Sequence, residues 1–253
     1  MDKGIGIAGV AGRMGRLLLE EARAAGLTVS GGLDRTPVAN VAMFADMAAL
    51  ADASDVVIDF THASTATAHA NALAARKAAW VIGASGLTAA DEAALAQAAR
   101  HVPVVYAANF SPGVTLVLAL AERMAAALPP ASYDAEIVEM HHRQKVDAPS
   151  GTAIAIGRAV ARGRGVTLED MRESGRDGQI GARRPGAIGF AALRGGQVVG
   201  EHTLIFAADH EQVSLTHRAF DRRSFAAGAV RAAIWACGRA PGLYSMADVI
   251  GLA

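Results

Sequence analysis

The sequence is short of several residue types, and each shortage excludes a class of protein. Cys237 is the single cysteine among 253 residues, which excludes an internal disulfide and a metal site built from several cysteines. The 24 Lys and Arg residues equal the 24 Asp and Glu residues, so no excess of positive charge favours nucleic acid or an anionic membrane as partner. No apolar run approaches the roughly 20 residues that span a bilayer, and the first residues lack the pattern of a secretory signal. We therefore expect a soluble, cytoplasmic protein whose partner is a small molecule.

Short apolar segments alternate with helical ones through the first half of the chain. Nearly continuous apolar strands of this kind are typical of a parallel sheet that helices cover on both faces. The predicted strands are Ile5–Gly9, Thr28–Leu33, Val56–Phe60, Trp80–Ile82 and Val104–Ala107. The predicted helices are Arg16–Ala25, Thr65–Arg76 and Ala90–Arg100, the last preceded by a capping box of Thr88 and Asp91. The pattern predicts an α/β fold with a Rossmann-like, doubly wound parallel sheet.

The pattern changes after a predicted helix at Val114–Ala127. Ile188–Leu193, Val198–Ala207 and Gln212–Arg218 are predicted strands without helices between them, which indicates an antiparallel layer. The helix predicted at Ser224–Cys237 is apolar enough to pack on the first domain. We therefore predict one domain from residues 1–112 and 222–253, and a second, α+β domain from residues 113–221 on an open mixed or antiparallel sheet.

A glycine-rich turn, AGVAGRMG, joins the first strand to the first helix. Gly9, Gly12 and Gly15 recur every three residues, while Val10 stands where the usual G-x-G-x-x-G pattern has its first glycine. Such glycines permit a tight turn, a close approach of the backbone to a pyrophosphate, and close helix–strand packing. Asp34 ends the second strand about 20 residues later, where an acid binds the ribose of a dinucleotide. The alternative is a glycine-rich turn followed by an ordinary surface aspartate.

Arg35 bears on the choice of cofactor, because a guanidinium beside that ribose can hold a 2′-phosphate. The sequence therefore predicts binding of NADH, NADPH or both. Two further turns, GASG at Gly83–Gly86 and AANFSPG at Ala107–Gly113, follow later strands at the carboxyl edge where open α/β sheets bind ligands. Plain strand-to-helix turns are the alternative at both places.

Titratable groups crowd into EMHHRQKVDAPSGTA, residues 139–153, directly before a predicted helix. His141 and Lys145 follow a predicted strand, Glu136–Met140, and so are expected on the loop that leads to the helix. Pro149, Ser150, Gly151 and Thr152 open that helix, whose unpaired N–H groups and dipole favour an anion. The segment predicts a carboxylate or phosphate cradle to which His141 and Lys145 deliver a proton. A packed His142, a solvated Arg143 and a capping Asp147 are the plain interpretations of the neighbouring residues.

The stretch EIVEMHHRQKVDAPSGTA resembles the signature of the 4-hydroxy-tetrahydrodipicolinate reductases, also called dihydrodipicolinate reductases, of bacterial lysine and diaminopimelate synthesis. The resemblance covers essentially the whole chain and includes GRMG, DFT, AANFS, RPGAIGF, GEHT and GAVRAA. It implies an NAD(P)H-dependent reduction of a small dicarboxylate, a dinucleotide-binding first domain, a second domain for substrate binding and oligomerisation, and a homotetramer.

Site residues carry over position by position. The resemblance implies that His141 is the acid/base group, that Lys145 is the proton donor, that His142 contacts the substrate, and that Gly151 and Thr152 bind its carboxylate. Ser150, which opens the same cradle, is also predicted to bind the substrate. No metal is expected. The implied cofactor contacts are Gly9, Val10, Ala11, Gly12, Arg13, Met14, Asp34, Arg35, Gly83, Ala84, Ser85, Ala107, Ala108, Asn109 and Phe110.

Two departures from the family bear on the cofactor. The segment between Asp34 and the third strand is shorter than in many members, and GASG replaces the more usual G-T-T-G. Both leave the chemistry intact but weaken any preference between NAD and NADP. Another amino-acid dehydrogenase on the same architecture and a nucleotide sensor without turnover are the rival functions. His141 and Lys145 argue against the sensor, because sensing needs no proton donor.

Overall fold

The computed structural model describes residues 3–252, and the chain divides into two compact units. Unit 1 combines Met1–Pro112 with Arg222–Ala253, and unit 2 is Gly113–Asp221. Within the described residues, no helix combines the length and the apolar composition needed to cross a membrane.

Unit 1 alternates strands and helices along the chain. Its first part comprises β1 (Ile5–Ala8), α1 (Arg13–Ala24), β2 (Val29–Leu33), α2 (Met47–Asp52), β3 (Val56–Asp59), a 3-10 turn (Ala63–Thr65), α3 (Ala66–Arg76), β4 (Ala79–Ile82), α4 (Ala89–Ala98) and β5 (Pro103–Tyr106). Its last part comprises α8 (Arg223–Ala236), β11 (Gly242–Tyr244) and α9 (Met246–Ile250).

All six strands of unit 1 are parallel, in the order β11-β5-β4-β3-β1-β2. The chain moves outwards from β1 to β2 and then returns to β3 on the other side of β1. This change of direction is the topological switch point, outside whose strand ends open α/β sheets bind ligands. The predicted doubly wound sheet is therefore confirmed.

Helices cover both faces of this sheet, because its central strands are apolar on both sides. Every residue of β1, β3 and β4 is buried. α1, α8 and α9 pack on one face, and α2, α3 and α4 pack on the other. The predicted return of the last long helix to the first sheet is confirmed, since Ala229, Ala232 and Ala233 of α8 are buried in its core.

Unit 2 comprises α5 (Pro112–Ala127), which starts at the boundary, β6 (Asp134–His141), α6 (Gly151–Gly163), α7 (Leu168–Met171), β7 (Arg172–Ser174), β8 (Ile188–Arg194), β9 (Gly200–Ala207) and β10 (Gln212–Ala219). α5 and α6 pack on one face of its five-stranded sheet. On the other face, Val138, Met140 and Ile205 are only half-buried and Leu193 is exposed.

The predicted open mixed or antiparallel sheet is confirmed in its mixed form, although the antiparallel layer expected from the last three strands is divided by β6. The strand order is β10-β9-β6-β8-β7, so β6 lies between β8 and β9. β6 pairs parallel with β8 and antiparallel with β9, and β8 pairs parallel with β7. The sheet is therefore mixed, because the apolar side chains of β6 face the same core as those of both neighbours and take the central place.

Several element boundaries also differ from the sequence pattern. His141 is the last residue of β6, where it pairs with Arg194, and not the first residue of a loop. α2, α7, α9, β7 and β11 carry no clear periodic signal because each has only three to six residues. The capping box of Thr88 and Asp91 is present at the start of α4.

Candidate functional site

Three glycines shape the turn between β1 and α1, each in a different way. Gly9 has a φ of +80°, and Gly12 is the N-cap of α1 and donates its N–H to the carbonyl of Gly9. A β-carbon on Gly15 would lie 2.6 Å from the Cα of Val10. Helix and turn therefore touch through backbone, which brings the first N–H groups of α1 to the carboxyl end of β1. This cradle fits the pyrophosphate of a dinucleotide.

Asp34 stands directly after β2, beside the same turn. Its Oδ2 accepts the N–H of Ala11 at 3.0 Å, and its Oδ1 accepts the N–H of Thr36 at 3.2 Å. One carboxylate thus aligns both the glycine-rich turn and the start of the next loop. Arg35 is exposed next to it, within the reach of a ligand bound at the end of β2. The carboxylate and the guanidinium fit the polar groups of an adenosine ribose.

The two later turns lie at the same edge, after β4 and β5. A β-carbon on Gly83 would lie 2.5 Å from the ring of Phe60, so this position has room only for glycine. The ring of Phe60 packs against Phe110 at 5.6 Å. The carbonyl of Phe110 closely approaches Gly228 of α8, where a β-carbon would collide with it. The helix returning from the end of the chain therefore supports the turn after β5.

The predicted cofactor residues thus meet at one sheet edge, but some offer only backbone to a ligand. Val10, Ala84 and Phe110 are 0%, 3% and 2% exposed, so their side chains belong to the core. Gly12, Arg13, Ser85 and Ala108 are exposed, and Gly9, Ala11, Met14, Gly83, Ala107 and Asn109 are half-buried. The side chain of Asn109 accepts the N–H of Ser111 and holds its turn closed.

In unit 2, the row of side chains by which the central strand β6 faces the core ends in polar residues. Alternate residues of β6 face the core: Ala135 and Ile137 are apolar, whereas Glu139 and His141 continue the same row. Gly200 and His202 of β9 face them from one side, and Arg194 of β8 from the other. A β-carbon on Gly200 would lie 3.0 Å from the Nε2 of His141, so glycine leaves room for the imidazole.

Glu139 and His141 form a tight buried pair. The Nδ1 of His141 lies 2.6 Å from the Oε2 of Glu139, and Arg194 donates to both carboxylate oxygens at 2.9 Å. Burial alone would raise the pKa of Glu139, but the hydrogen bonds from Arg194, His141 and Ser150 outweigh it and hold that pKa below its ordinary value. Glu139 is therefore an ionised carboxylate that can only accept hydrogen bonds, so the Nδ1 of His141 carries the hydrogen between them.

His141 itself is neutral near pH 7. Burial lowers the pKa of its imidazole, and although the hydrogen bond to Glu139 acts in the opposite direction, the charges of Lys145 and Arg194 add to the lowering. A neutral imidazole with hydrogen on Nδ1 presents a lone pair at Nε2. The arrangement leaves His141 able to accept a hydrogen bond or a proton at that atom.

Ser150 fixes the start of α6. Its hydroxyl accepts the N–H of Ala153 at 3.2 Å and lies 2.9 Å from the Nε2 of His202, while its own N–H donates to Glu139. Ser150 is 2% exposed, so these groups are engaged inside the protein. Gly151 and Thr152 begin the helix, and a β-carbon built on Gly151 meets no atom within 4 Å. The positive end of the helix dipole is thus open to an anion at Gly151.

Lys145 and His142 lie on the loop between β6 and α6. The Nζ of Lys145 donates to Asp147 at 2.8 Å, and this hydrogen bond holds the pKa of Asp147 below its ordinary value. Arg194 also donates to the carbonyl of Asp147 at 2.6 Å, which ties this loop to the sheet. The Nδ1 of His142 is buried and lacks a hydrogen-bond partner in the part of the chain that the structure describes.

Sequence reasoning missed three members of this cluster: Glu139, Arg194 and His202. A local signal existed for Glu139, because residues two apart on a strand face the same side and Glu139 precedes His141 by two. GEHT, which contains His202, belongs to the family resemblance but carried no assigned role. Arg194 has no local signal, since it reaches Glu139 across 55 residues of sequence.

Comparison with known proteins accounts for nearly the whole chain. Residues 3–110 match the family model described as dihydrodipicolinate reductase, N-terminus, and residues 113–250 match that of the C-terminus. A 4-hydroxy-tetrahydrodipicolinate reductase of Granulibacter bethesdensis is 67% identical over 98% of this chain and 97% of the relative. One of Gluconacetobacter diazotrophicus is 61% identical over 98% and 97%.

Solved structures agree with the fold. A dipicolinate-bound dihydrodipicolinate reductase from Paenisporosarcina sp. TG-14 superposes with a TM-score of 0.79 at 22% identity, covering 97% of this chain and 98% of that chain. GenD2 from gentamicin A biosynthesis, in complex with NAD, has a TM-score of 0.61 at 15% identity, covering 98% and 90%.

Two family models that together span the chain, and relatives above 60% identity along nearly its full length, confirm the resemblance stated from the motifs. The chain belongs to the dihydrodipicolinate reductase family and is an oxidoreductase of the 4-hydroxy-tetrahydrodipicolinate reductase type.

Proposed function

We propose that this chain reduces 4-hydroxy-tetrahydrodipicolinate to tetrahydrodipicolinate with NADH or NADPH, in lysine and diaminopimelate synthesis in the cytoplasm. A hydride and a proton are added to the ring system, and the 4-hydroxyl leaves as water. The observation that carries the proposal is the grouping of His141 and Lys145 with the open N-terminus of α6. An anionic substrate that must be protonated needs such a grouping.

Unit 1 holds the cofactor in this proposal. The backbone from Gly9 to Met14 binds the pyrophosphate, and Asp34 binds the adenosine ribose. Arg35 pairs with a 2′-phosphate when the cofactor carries one. The turns Gly83–Ser85 and Ala107–Phe110 contact the rest of the dinucleotide. A bound nicotinamide cofactor supplies the hydride. The residues of unit 1 contribute by binding and orientation, which provide much of the rate of such reactions.

Unit 2 holds the substrate. The N–H groups of Gly151 and Thr152 and the hydroxyl of Thr152 bind one carboxylate, where the dipole of α6 favours negative charge. His142, whose Nδ1 has no partner within residues 3–252, contacts the substrate as well. We assign Ser150 to fixing the start of α6 rather than to binding, because its hydroxyl and its N–H both serve the protein.

Lys145 delivers the proton in this scheme. The ammonium group of Lys145 carries protons to give, whereas the neutral His141 presents a lone pair at Nε2. His141 therefore acts by accepting a hydrogen bond from the reacting system, and by taking up a proton where one must be removed. Asp147 holds the Lys145 side chain before the substrate arrives.

Oxidation of NADPH and NADH, followed at 340 nm with freshly made product of the preceding synthase, tests the function. The absence of turnover with both cofactors would refute it. Lys145→Ala should lower kcat by roughly 10² or more, the scale of losing a positioned acid, with the KM of the cofactor unchanged. Lys77→Ala, which removes an exposed lysine at the end of α3, is the matched control and should retain full activity.

The planar substrate analogue pyridine-2,6-dicarboxylate separates the role of Lys145 from simple anchoring. It should compete with the substrate in the wild-type protein and bind Lys145→Ala nearly as well. If Lys145→Ala instead kept its turnover and bound the analogue weakly, Lys145 would be a carboxylate anchor, and the proton would come from His141 or from water.

A further inference from the structure

Glu139 is a buried carboxylate on which three parts of the candidate site converge. It is 1% exposed and receives hydrogen bonds from the imidazole of His141, from both terminal nitrogens of Arg194, and from the backbone N–H of Ser150. The first partner is the acid/base group, and the last is the N-cap of the anion-binding helix. The Glu139 side chain thus fixes the position of His141 relative to the start of α6.

The fold itself does not need a charge at this position. Glu139 continues a row whose preceding members, Ala135 and Ile137, are apolar, and the residues of α6 that face the row are apolar too. Buried ion pairs rarely stabilise a protein more than apolar residues of similar volume, because both charges lose their hydration. Stability therefore gives no reason for Glu139 and Arg194, whereas the orientation of His141 does.

Arg194 extends the same contacts to the proton donor. While it holds Glu139 with two parallel hydrogen bonds, its Nη2 also donates to the carbonyl of Asp147 at 2.6 Å. Asp147 in turn accepts from the Nζ of Lys145. The guanidinium therefore fixes the loop carrying Lys145 relative to the carboxylate that orients His141.

We propose that Glu139, held by Arg194, is a positioning residue for the reduction: it fixes the tautomer and direction of His141 and aligns the start of α6 with it. This role in turnover rests on the proposed function. Its structural content, that Glu139 controls the ionisation and orientation of His141, can be measured without any substrate.

Four charged or titratable groups face His141, and their effects differ in sign. Glu139 on β6 raises the pKa of His141, while Lys145 on the loop and Arg194 on β8 lower it. His202 on β9 meets its ring edge to face at 5.1 Å and is neutral, because burial lowers its pKa to about 4. Substituting Glu139 or Arg194 should therefore move the titration of His141 in opposite directions.

Glu139→Gln keeps the shape of the side chain and removes its charge. NMR titration of the histidine ring signals, with that of His141 assigned from a His141→Asn variant, should show the pKa of His141 below its wild-type value. The limb of the pH–kcat/KM profile that belongs to His141 should shift to lower pH by the same amount, because kcat/KM reports groups of the free enzyme. We expect kcat to fall by roughly 10²-fold, the scale of a misplaced catalytic group, and the KM of the substrate to rise while that of the cofactor stays unchanged.

Glu136→Gln is the matched control. Glu136 lies on the same strand and also accepts two hydrogen bonds from one arginine, Arg176, and a third from Arg183, but its side chain faces away from His141. The variant should lose thermal stability as Glu139→Gln does, yet retain the titration of His141, the pH profile and kcat. A folded Glu139→Gln that behaves like this control would overturn the proposal.

Arg194→Gln decides the matter if Glu139→Gln does not fold. Removing the guanidinium should raise the pKa of His141 and move the same limb to higher pH, and an unmoved titration would overturn the proposal. Failure of the proposed function is distinguishable, because wild-type protein would then lack turnover with the synthase product while the shifts of His141 in both variants persisted.

Discussion

Gly15→Ala is expected to disturb the turn between β1 and α1. A β-carbon there would lie 2.6 Å from the Cα and 2.7 Å from the carbonyl carbon of Val10, and closer still to the carbonyl oxygen of Gly9. Backbone atoms cannot rotate away as a side chain can, so helix and turn must separate. Such overpacking costs about 1–3 kcal/mol, and alanine recovers about 1 kcal/mol of helix propensity. We expect a net loss of up to about 2 kcal/mol, equivalent to a fall in Tm of up to roughly 8 °C.

Calorimetry and cofactor fluorescence titration would measure the two consequences separately. Gly15→Ala should lower both the Tm and the affinity for NADPH, because the displaced turn carries the backbone that we propose binds the phosphates. Gly12→Ala is the comparison within the same turn, since its β-carbon would meet only the carbonyl oxygen of Gly9, at 3.1 Å. Gly12→Ala should keep a nearly wild-type Tm while binding the cofactor less tightly. A wild-type Tm and affinity in Gly15→Ala would refute the packing argument.

Four other measurements address the remaining parts of the molecule. Arg35→Ala should weaken the binding of NADPH more than that of NADH, because only NADPH carries the 2′-phosphate that a guanidinium pairs with. Equal losses of affinity for the two cofactors would contradict this. Thr152→Val should raise the substrate KM by the equivalent of about 1–3 kcal/mol with kcat little changed, and unchanged inhibition by pyridine-2,6-dicarboxylate would argue against it. The free energy of unfolding should fall as the pH drops from 6.5 towards 4, because burial lowers the pKa of His202 from 6.5 to about 4 and the unfolded chain therefore binds the proton first. Urea titrations across this range should show a flatter dependence in His202→Gln, and an identical slope would exclude His202 as the cause. Other subunits of a homotetramer should cover the half-exposed sheet face that includes Val138 and Met140. A monomeric mass in light scattering at micromolar concentration would rule this out.

The parallel sheet of unit 1 could be predicted because its signal is local. Strands buried on both faces are continuous apolar runs, and the helices between them are long enough to show a period. The order of the second sheet could not be predicted in the same way. β6 joins β8 with Ala135 opposite Ile188, and no local pattern specifies a pairing across more than 50 residues. Burial of the shared core face decides it instead.

The candidate site shows the same division between local and distant contacts. His141, Lys145 and the start of α6 lie in one stretch of sequence, so their proximity could be predicted from spacing alone. Glu139 and His202 are brought together by the antiparallel register of β6 and β9, in which they are opposite each other. Arg194 arrives through the parallel pairing with β8. These partners depend on the strand order of the second sheet, which no local pattern in the sequence specifies.

The composition of unit 1 from two separate stretches has a consequence for synthesis on the ribosome. Its parallel sheet needs α8 to cover one face, yet 110 residues lie between Pro112, the last residue of the first stretch, and Arg223, the first residue of α8. Unit 2, in contrast, is one continuous stretch and is complete before α8 emerges. During translation the nascent sheet must therefore keep an apolar face uncovered while the later unit is made. We expect chaperones to bind the nascent chain mainly during this interval, because its apolar surface is then exposed.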